Sequence, residues 1–189
     1  MSLALLTFAL AVSTMFASLI APFFPVFISG IAGGSLIAVG IALAITKFST
    51  VVLAIPLNLL GDSLGRKPLM VVGSIVGAWA FYQYLFVSSV EQLYFLALVV
   101  GLANALTSVA EAVLASLTSG ERRGTKVGKF GMLVGIAGAG GTVAGGYLVD
   151  TLGFDTLFII IAGAYLLTGA LFLLVDTGQK ETQAPTKGG

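Results

Sequence analysis

Cysteine and histidine are both missing from the 189 residues. The first absence excludes disulfides and thiol chemistry. The second removes the commonest general base and the commonest transition-metal ligand, so a Ser–His catalytic pair cannot form. Charge is scarce too: Asp, Glu, Lys and Arg make up 9% of the chain, and residues 1–46 carry none. With 58% apolar residues and a mean hydropathy of +1.09, the chain lacks the polar shell of a water-soluble domain. No enzyme, cofactor or metal site is expected. The net charge of +1 identifies no partner, and no nucleic-acid partner is expected.

What is present is apolar length. Six runs stand out, at 3–28, 36–60, 69–87, 93–117, 130–149 and 157–175. Each suffices to cross a hydrocarbon core, which takes about 20 helical residues. Inside lipid the backbone must satisfy its own hydrogen bonds, so helices are the expected form. The sequence therefore predicts an all-α membrane protein: a six-helix transmembrane domain over 1–175 and a polar tail over 176–189. The first run lacks a basic leader and is longer than a signal-peptide core, so it is expected to stay as the first membrane helix. Pro22 and Pro25 should bend or end it at its outer side.

Orientation follows from the basic residues. Arg66 and Lys67 fall between the second and third runs, and Arg122, Arg123, Lys126 and Lys129 between the fourth and fifth. Lys180 and Lys187 fall in the tail. The opposite connections hold Glu91, Asp150 and Asp155 and no Lys or Arg. Eight of the nine basic residues share one side, which predicts cytoplasmic N- and C-termini. The exception is Lys47, inside the second run.

Polar residues inside the runs repeat at helical spacing. Thr7, Ala11, Thr14, Ser18 and Pro22 share a face of the first helix, and Gly101, Asn104, Ser108, Glu111 and Ala115 share one of the fourth. Two readings of such faces stand: close packing through small residues, or the wall of a water-filled path. A membrane carboxylate such as Glu111 usually faces an interior or a cavity. Glu111 and Lys47 are either a structural ion pair or a protonation or cation site with a tuning charge, and Asn104, Ser108, Thr14 and Ser18 are candidate cavity residues. On the fifth helix, Gly131, Gly135, Gly138 and Gly145 lie on a small ridge suited to close helix packing. The sixth run is apolar around most of its circumference and suits a lipid-facing position.

The loop from Gly61 to Pro68 is the compact polar break in the first ninety residues. Asp62 can end a helix, Gly65 can supply a positive φ, and Pro68 can open the next helix. Asp62, Gly65, Arg66 and Lys67 resemble, in spacing and place, the G-x-x-x-D-R-x-G-R-[RK] signature between the second and third helices of major facilitator superfamily transporters. Asn58 replaces the leading Gly, and Ser63 the first basic residue. Pro22-Phe23-Phe24-Pro25 is similar to the P-x-x-P end of helix one in the drug/proton antiporter branch. Glu121-Arg122-Arg123-Gly124 resembles the loop between helices four and five. Residues 138–146 resemble the glycine-rich antiporter motif, with Thr142 where Pro is usual. Ala97 stands where the family often has an Arg before Gly101, so a coupling scheme using that Arg does not carry over.

The resemblance implies one six-helix half of a two-half fold around a central path. It also implies a gating role for Asp62, Gly65, Arg66 and Lys67, with Asp62 facing a helix N-terminus of the other half. A second six-helix half, from a second copy or a C-terminal continuation, is then an expected partner, together with the lipid bilayer and a small-molecule substrate. The leading expectation is a secondary transporter or half-transporter of a prokaryotic cytoplasmic membrane, working by alternating access, with proton coupling an open option. The alternative is a six-helix assembly module that pairs through its glycine-rich helix five and transports nothing. The N-P-A repeats of water channels are absent.

Overall fold

The computed structural model describes residues 2–110 and 123–174. Among them all regular secondary structure is helical. The first apolar run divides into α1 (Ser2–Ile20) and α2 (Phe24–Ile31), bent by 41° at the break. Pro22 has no N–H to return to the Ser18 carbonyl four residues back, so α1 ends there. The Thr142 hydroxyl reaches that carbonyl from another helix, at 3.5 Å. Pro25 sits in the first turn of α2, where its missing donor costs nothing. Gly33 and Gly34, with φ of 61° and 84°, turn the chain. Ser35 then caps α3 (Leu36–Leu64), its Oγ accepting from the Ala38 N–H at 3.3 Å.

Gly65 ends α3 and opens α4 (Arg66–Gln83) in a single step. Its φ of 93° reverses the chain where an L-residue would be strained. Asp62 lies within the last turn of α3 rather than at its cap. After a 3₁₀ turn at Tyr84–Phe86, Ser89 caps α5 (Val90–Thr107): its Oγ accepts from the Gln92 N–H, and Gln92 Oε1 accepts from the Ser88 N–H. The last described helix, α6 (Arg123–Leu174), breaks at Gly153, with φ 78° and ψ 175°.

The two arms of α6, 123–152 and 154–174, run in opposite directions. Gly138, Gly141, Gly145 and Gly146 in the first arm meet Ser18, Met15, Leu19 and Phe23, broadly parallel to α1. In the second arm, Phe158 packs on Phe81 and Tyr84, Tyr165 covers Gly77 and Gly169 meets Ser74, antiparallel to α4. α5 lies against α3 and α4. One core cluster joins Leu10, Met70, Leu106, Val109 and Phe172; a second joins Leu19, Ile20, Phe81, Tyr84, Leu157 and Phe158. The second arm is two-sided: Leu157, Phe158, Ile161, Thr168 and Phe172 are all at most 3% exposed, while Ile159, Leu166, Leu167, Leu173 and Leu174 face outward and keep the apolar surface the sequence suggests for lipid. Overall hydropathy cannot separate burial in lipid from burial in protein.

Among the described residues four helices are long and apolar enough to cross a membrane, or five if α1 and α2 form one bent span. One of the four covers Gly131–Leu174, which as a straight rod would be about 66 Å long, roughly twice the hydrocarbon core. The reversal at Gly153 lies inside it. Large apolar side chains face outward, among them Ile37, Phe48, Val52, Ile55, Ile136 and Val143. Each of those would forgo about 1.5–3 kcal/mol of burial in water. The molecule is an integral membrane protein.

Candidate functional site

A cavity of about 330 Å³ opens between α1, α3, α5 and the second arm of α6. Leu10, Ser13, Thr14 and Ala17 line it from α1, and Lys47 and Thr50 from α3. Asn104, Thr107 and Ser108 line it from α5 and its C-cap, Tyr165 and Phe172 from α6. The spacing on each helix explains the wall: 10, 13, 14 and 17 on α1, 47 and 50 on α3, and 104, 107 and 108 on α5 fall on single faces. The sequence thus brings Thr14, Lys47, Asn104 and Ser108 to one space. Ser18 lies elsewhere, with its Oγ 3.2 Å from where a Cβ on Gly138 would stand. Gly101 also leaves the face expected for it and meets Thr46 and Ser49 of α3. Glu111 lies outside the described residues.

Apart from Ser13, the wall's aliphatic hydroxyls are held by backbone carbonyls. Thr14 Oγ1 donates to Leu10 at 2.8 Å, Ser108 Oγ to Ala105 at 2.8 Å, and Thr107 Oγ1 to Ala103 at 3.0 Å. Their lone pairs remain for a ligand. Tyr165 donates its O–H to Asn104 Oδ1 at 3.2 Å and stacks on Phe81, which locks the amide's orientation. Thr46 and Thr50 donate across to the carbonyls of Ala97 and Gly101, each at 3.2 Å, clamping α3 to α5 beside the cavity. Ser13, Thr50, Thr107, Tyr165 and Phe172 were not singled out by sequence. The 3-residue spacing of Thr50 from Lys47 and of Thr107 from Asn104 carries the signal; Tyr165 and Phe172 carry none, because they read as ordinary apolar positions.

Among the described residues the α3–α4 loop holds the one ion pair that meets a 4.0 Å limit, Arg66 Nη2 to Asp62 Oδ1 at 2.9 Å, with Arg66 Nε also donating at 3.2 Å. Asp62 is 59% exposed, so the pair adds little stability, in the range of about 0–1 kcal/mol. A carboxylate at the C-terminal end of its own helix opposes the helix dipole. Arg66, one turn on, offsets this. Asn58 and Ser63 donate within their own helix, to Ala54 at 2.8 Å and Leu60 at 3.0 Å.

A sequence profile described as Major Facilitator Superfamily matches residues 6–189. The chain belongs to that superfamily. Similar proteins include the multi-drug resistance efflux pump PmrA of Streptococcus pneumoniae, 26% identical over 179 residues. That match covers 90% of this chain and 45% of the pump. The class B tetracycline resistance protein of Escherichia coli is 31% identical over 145 residues, 76% of this chain and 35% of that protein. A bicyclomycin resistance protein homolog of Haemophilus influenzae is 30% identical over 130 residues, 67% of this chain and 33% of that protein. The chain spans under half the length of these curated relatives.

The glycine ridge of α6 divides in two. A Cβ on Gly141 or Gly145 would collide with the carbonyl oxygens of Met15 or Leu19, and one on Gly138 would press on Ser18. These positions let α6 approach the α1 backbone closely enough for Cα–H···O contacts. Gly131 and Gly135 have open space where a Cβ would stand. Of the four ridge glycines, two thus lie against α1 and two do not. Thr142, at the usual Pro position, supplies the hydroxyl that meets the Ser18 carbonyl.

Proposed function

We propose that this chain is one six-crossing half of a secondary transporter that moves a small solute by alternating access. The observation that carries the reading is the cavity: a polar wall built from four helices of an otherwise apolar molecule. A membrane protein tolerates polar groups at mid-depth where they face water or substrate. In this reading α1 with α2 is one bent crossing, and Gly153 divides α6 into two, with both termini cytoplasmic. The similarity to drug efflux and resistance proteins favours export across a prokaryotic cytoplasmic membrane. The fold needs a second six-helix half to close the path, supplied by a second copy or by the remainder of a longer chain.

Asp62 is the gating residue in this scheme. Its exposed carboxylate is free to meet the N-terminal end of a helix in the second half, while Arg66 holds it in place from the same loop. Proton coupling would then fall to Glu111. The test is efflux from proteoliposomes or cells carrying the complete two-half transporter. Asp62→Asn is expected to lower transport about tenfold or more with membrane insertion unchanged, and Glu111→Gln to remove the pH dependence. Full transport by Asp62→Asn would remove the gate from the scheme. Absence of any solute flux in the unaltered protein would overturn the transporter reading itself.

A further inference from the structure

The cavity contains one formal charge among the described residues, and it is positive. Lys47 lies about 16 Å from the Leu36 end of α3 and about 26 Å from the Leu64 end. A lysine stem cannot bridge either span to reach a lipid headgroup. The described carboxylates, Asp62, Glu91, Asp150 and Asp155, all sit at or near helix ends or the Gly153 break. The one described ion pair joins Asp62 to Arg66, so no described acid neutralises Lys47. The ammonium is retained at a depth where a charge costs several kcal/mol unless it faces water or an opposite charge.

A second donor points into the same space. Tyr165 donates to the Oδ1 of Asn104, which leaves the two N–H bonds of the Asn104 amide without a partner among the described residues. Lys47 and Asn104 thus offer five N–H donors, while the hydroxyls of Thr14, Thr107 and Ser108 turn their protons to the backbone. Leu10, Ala17 and Phe172 add an apolar wall. A cationic solute would meet repulsion from Lys47 and gain only weak hydroxyl acceptors. An anion would gain a charge-assisted hydrogen bond from Lys47, whose side chain is exposed on the cavity side of α3.

We propose that the cavity selects small organic anions, holding the anionic group on Lys47 and Asn104 and the apolar body against Leu10, Ala17 and Phe172. The assignment deepens the transporter reading by naming its substrate class, and it rests on that reading for its biological meaning. The binding itself does not require transport.

The test uses two probes with one ring and opposite charge, 2-naphthoate and 2-naphthylmethylammonium. Each is titrated calorimetrically against the full chain in phosphatidylcholine nanodiscs, with empty nanodiscs as reference. The naphthoate is expected to bind about tenfold or more tighter than the ammonium. Lys47→Gln should abolish that preference, Lys47→Arg should keep most of it, and Lys47→Glu should reverse it. Matching elution profiles of all variants establish that they fold. Equal affinity of the two probes, no binding of either, or a preference unmoved in Lys47→Glu would overturn the proposal. Flux measurements in proteoliposomes separate it from the transporter reading. Lys47-dependent anion binding without flux removes transport and leaves the site; flux that ignores Lys47 and ligand charge removes the site and leaves transport.

Discussion

The Tyr84 hydroxyl has no hydrogen-bond partner among the described residues, although the side chain is only 2% exposed. Phe24, Phe27, Phe81 and Phe158 surround the ring, with Phe158 stacked at 5.4 Å and Phe24 edge-on at 5.2 Å. Burying a hydroxyl unpaired costs about 1–3 kcal/mol, while the ring contributes packing that Phe would keep. Tyr84→Phe is therefore expected to leave the fold intact and raise the unfolding temperature in detergent. A lower temperature would mean that the hydroxyl does have a partner. Tyr165 is the opposite case. Its hydroxyl bonds Asn104 at 3.2 Å and its ring covers Gly77. Tyr165→Phe should loosen Asn104, weaken naphthoate binding several-fold and leave Gly77 covered, which the nanodisc titration reads directly.

At the scale of helices, the glycines of α6 make a paired comparison. Gly141→Val or Gly145→Val places a side chain on the backbone of α1, which cannot retreat as a flexible side chain would. Such overpacking costs about 1–3 kcal/mol or more, so both variants should show lower unfolding temperatures in detergent. Gly131→Ala and Gly135→Ala meet open space and should gain about 0.5–1 kcal/mol of helix propensity on the isolated chain. Equal loss from all four would mean that the whole ridge is packed. Apolar runs made the helices legible in the sequence, and Pro22 and Gly65 marked where two of them end. The partner of each helix was less legible. The 3-and-4 spacing of Gly101, Asn104 and Ser108 put them on one face, yet Gly101 docks on Ser49 while the other two line the cavity. A helical face is wide enough to serve both a neighbour and a void, and sequence spacing does not divide it. The inward face of the second arm of α6 was not legible for a related reason: its apolar residues suit lipid and core equally, and the aromatic contacts to α4 that divide them are long-range.

For the whole molecule, the question is what covers α3 and the first arm of α6. Ile37, Phe48 and Ile55 on one, and Val143 and Tyr147 on the other, are each more than two-thirds exposed. Lipid or a second six-helix half accounts for such faces. Because the chain has no cysteine, Val143→Cys would be its only thiol, and a bismaleimide in native membranes reads the neighbourhood of that position alone. If the second half is another copy, a species of twice the monomer mass is expected; persistent monomer would exclude a symmetric contact at Val143. One more consequence follows from the hydrogen bond between Tyr165 and Asn104, which ties residues 61 positions apart. Synthesis at about 5–20 residues per second separates their appearance by roughly 3–12 s. During that interval α1, α3 and α5 can be inserted while the cavity still lacks a wall. The cavity is therefore closed late in the making of the described fold, and a ligand held there would stabilise the placement of the second arm of α6 over the earlier stages.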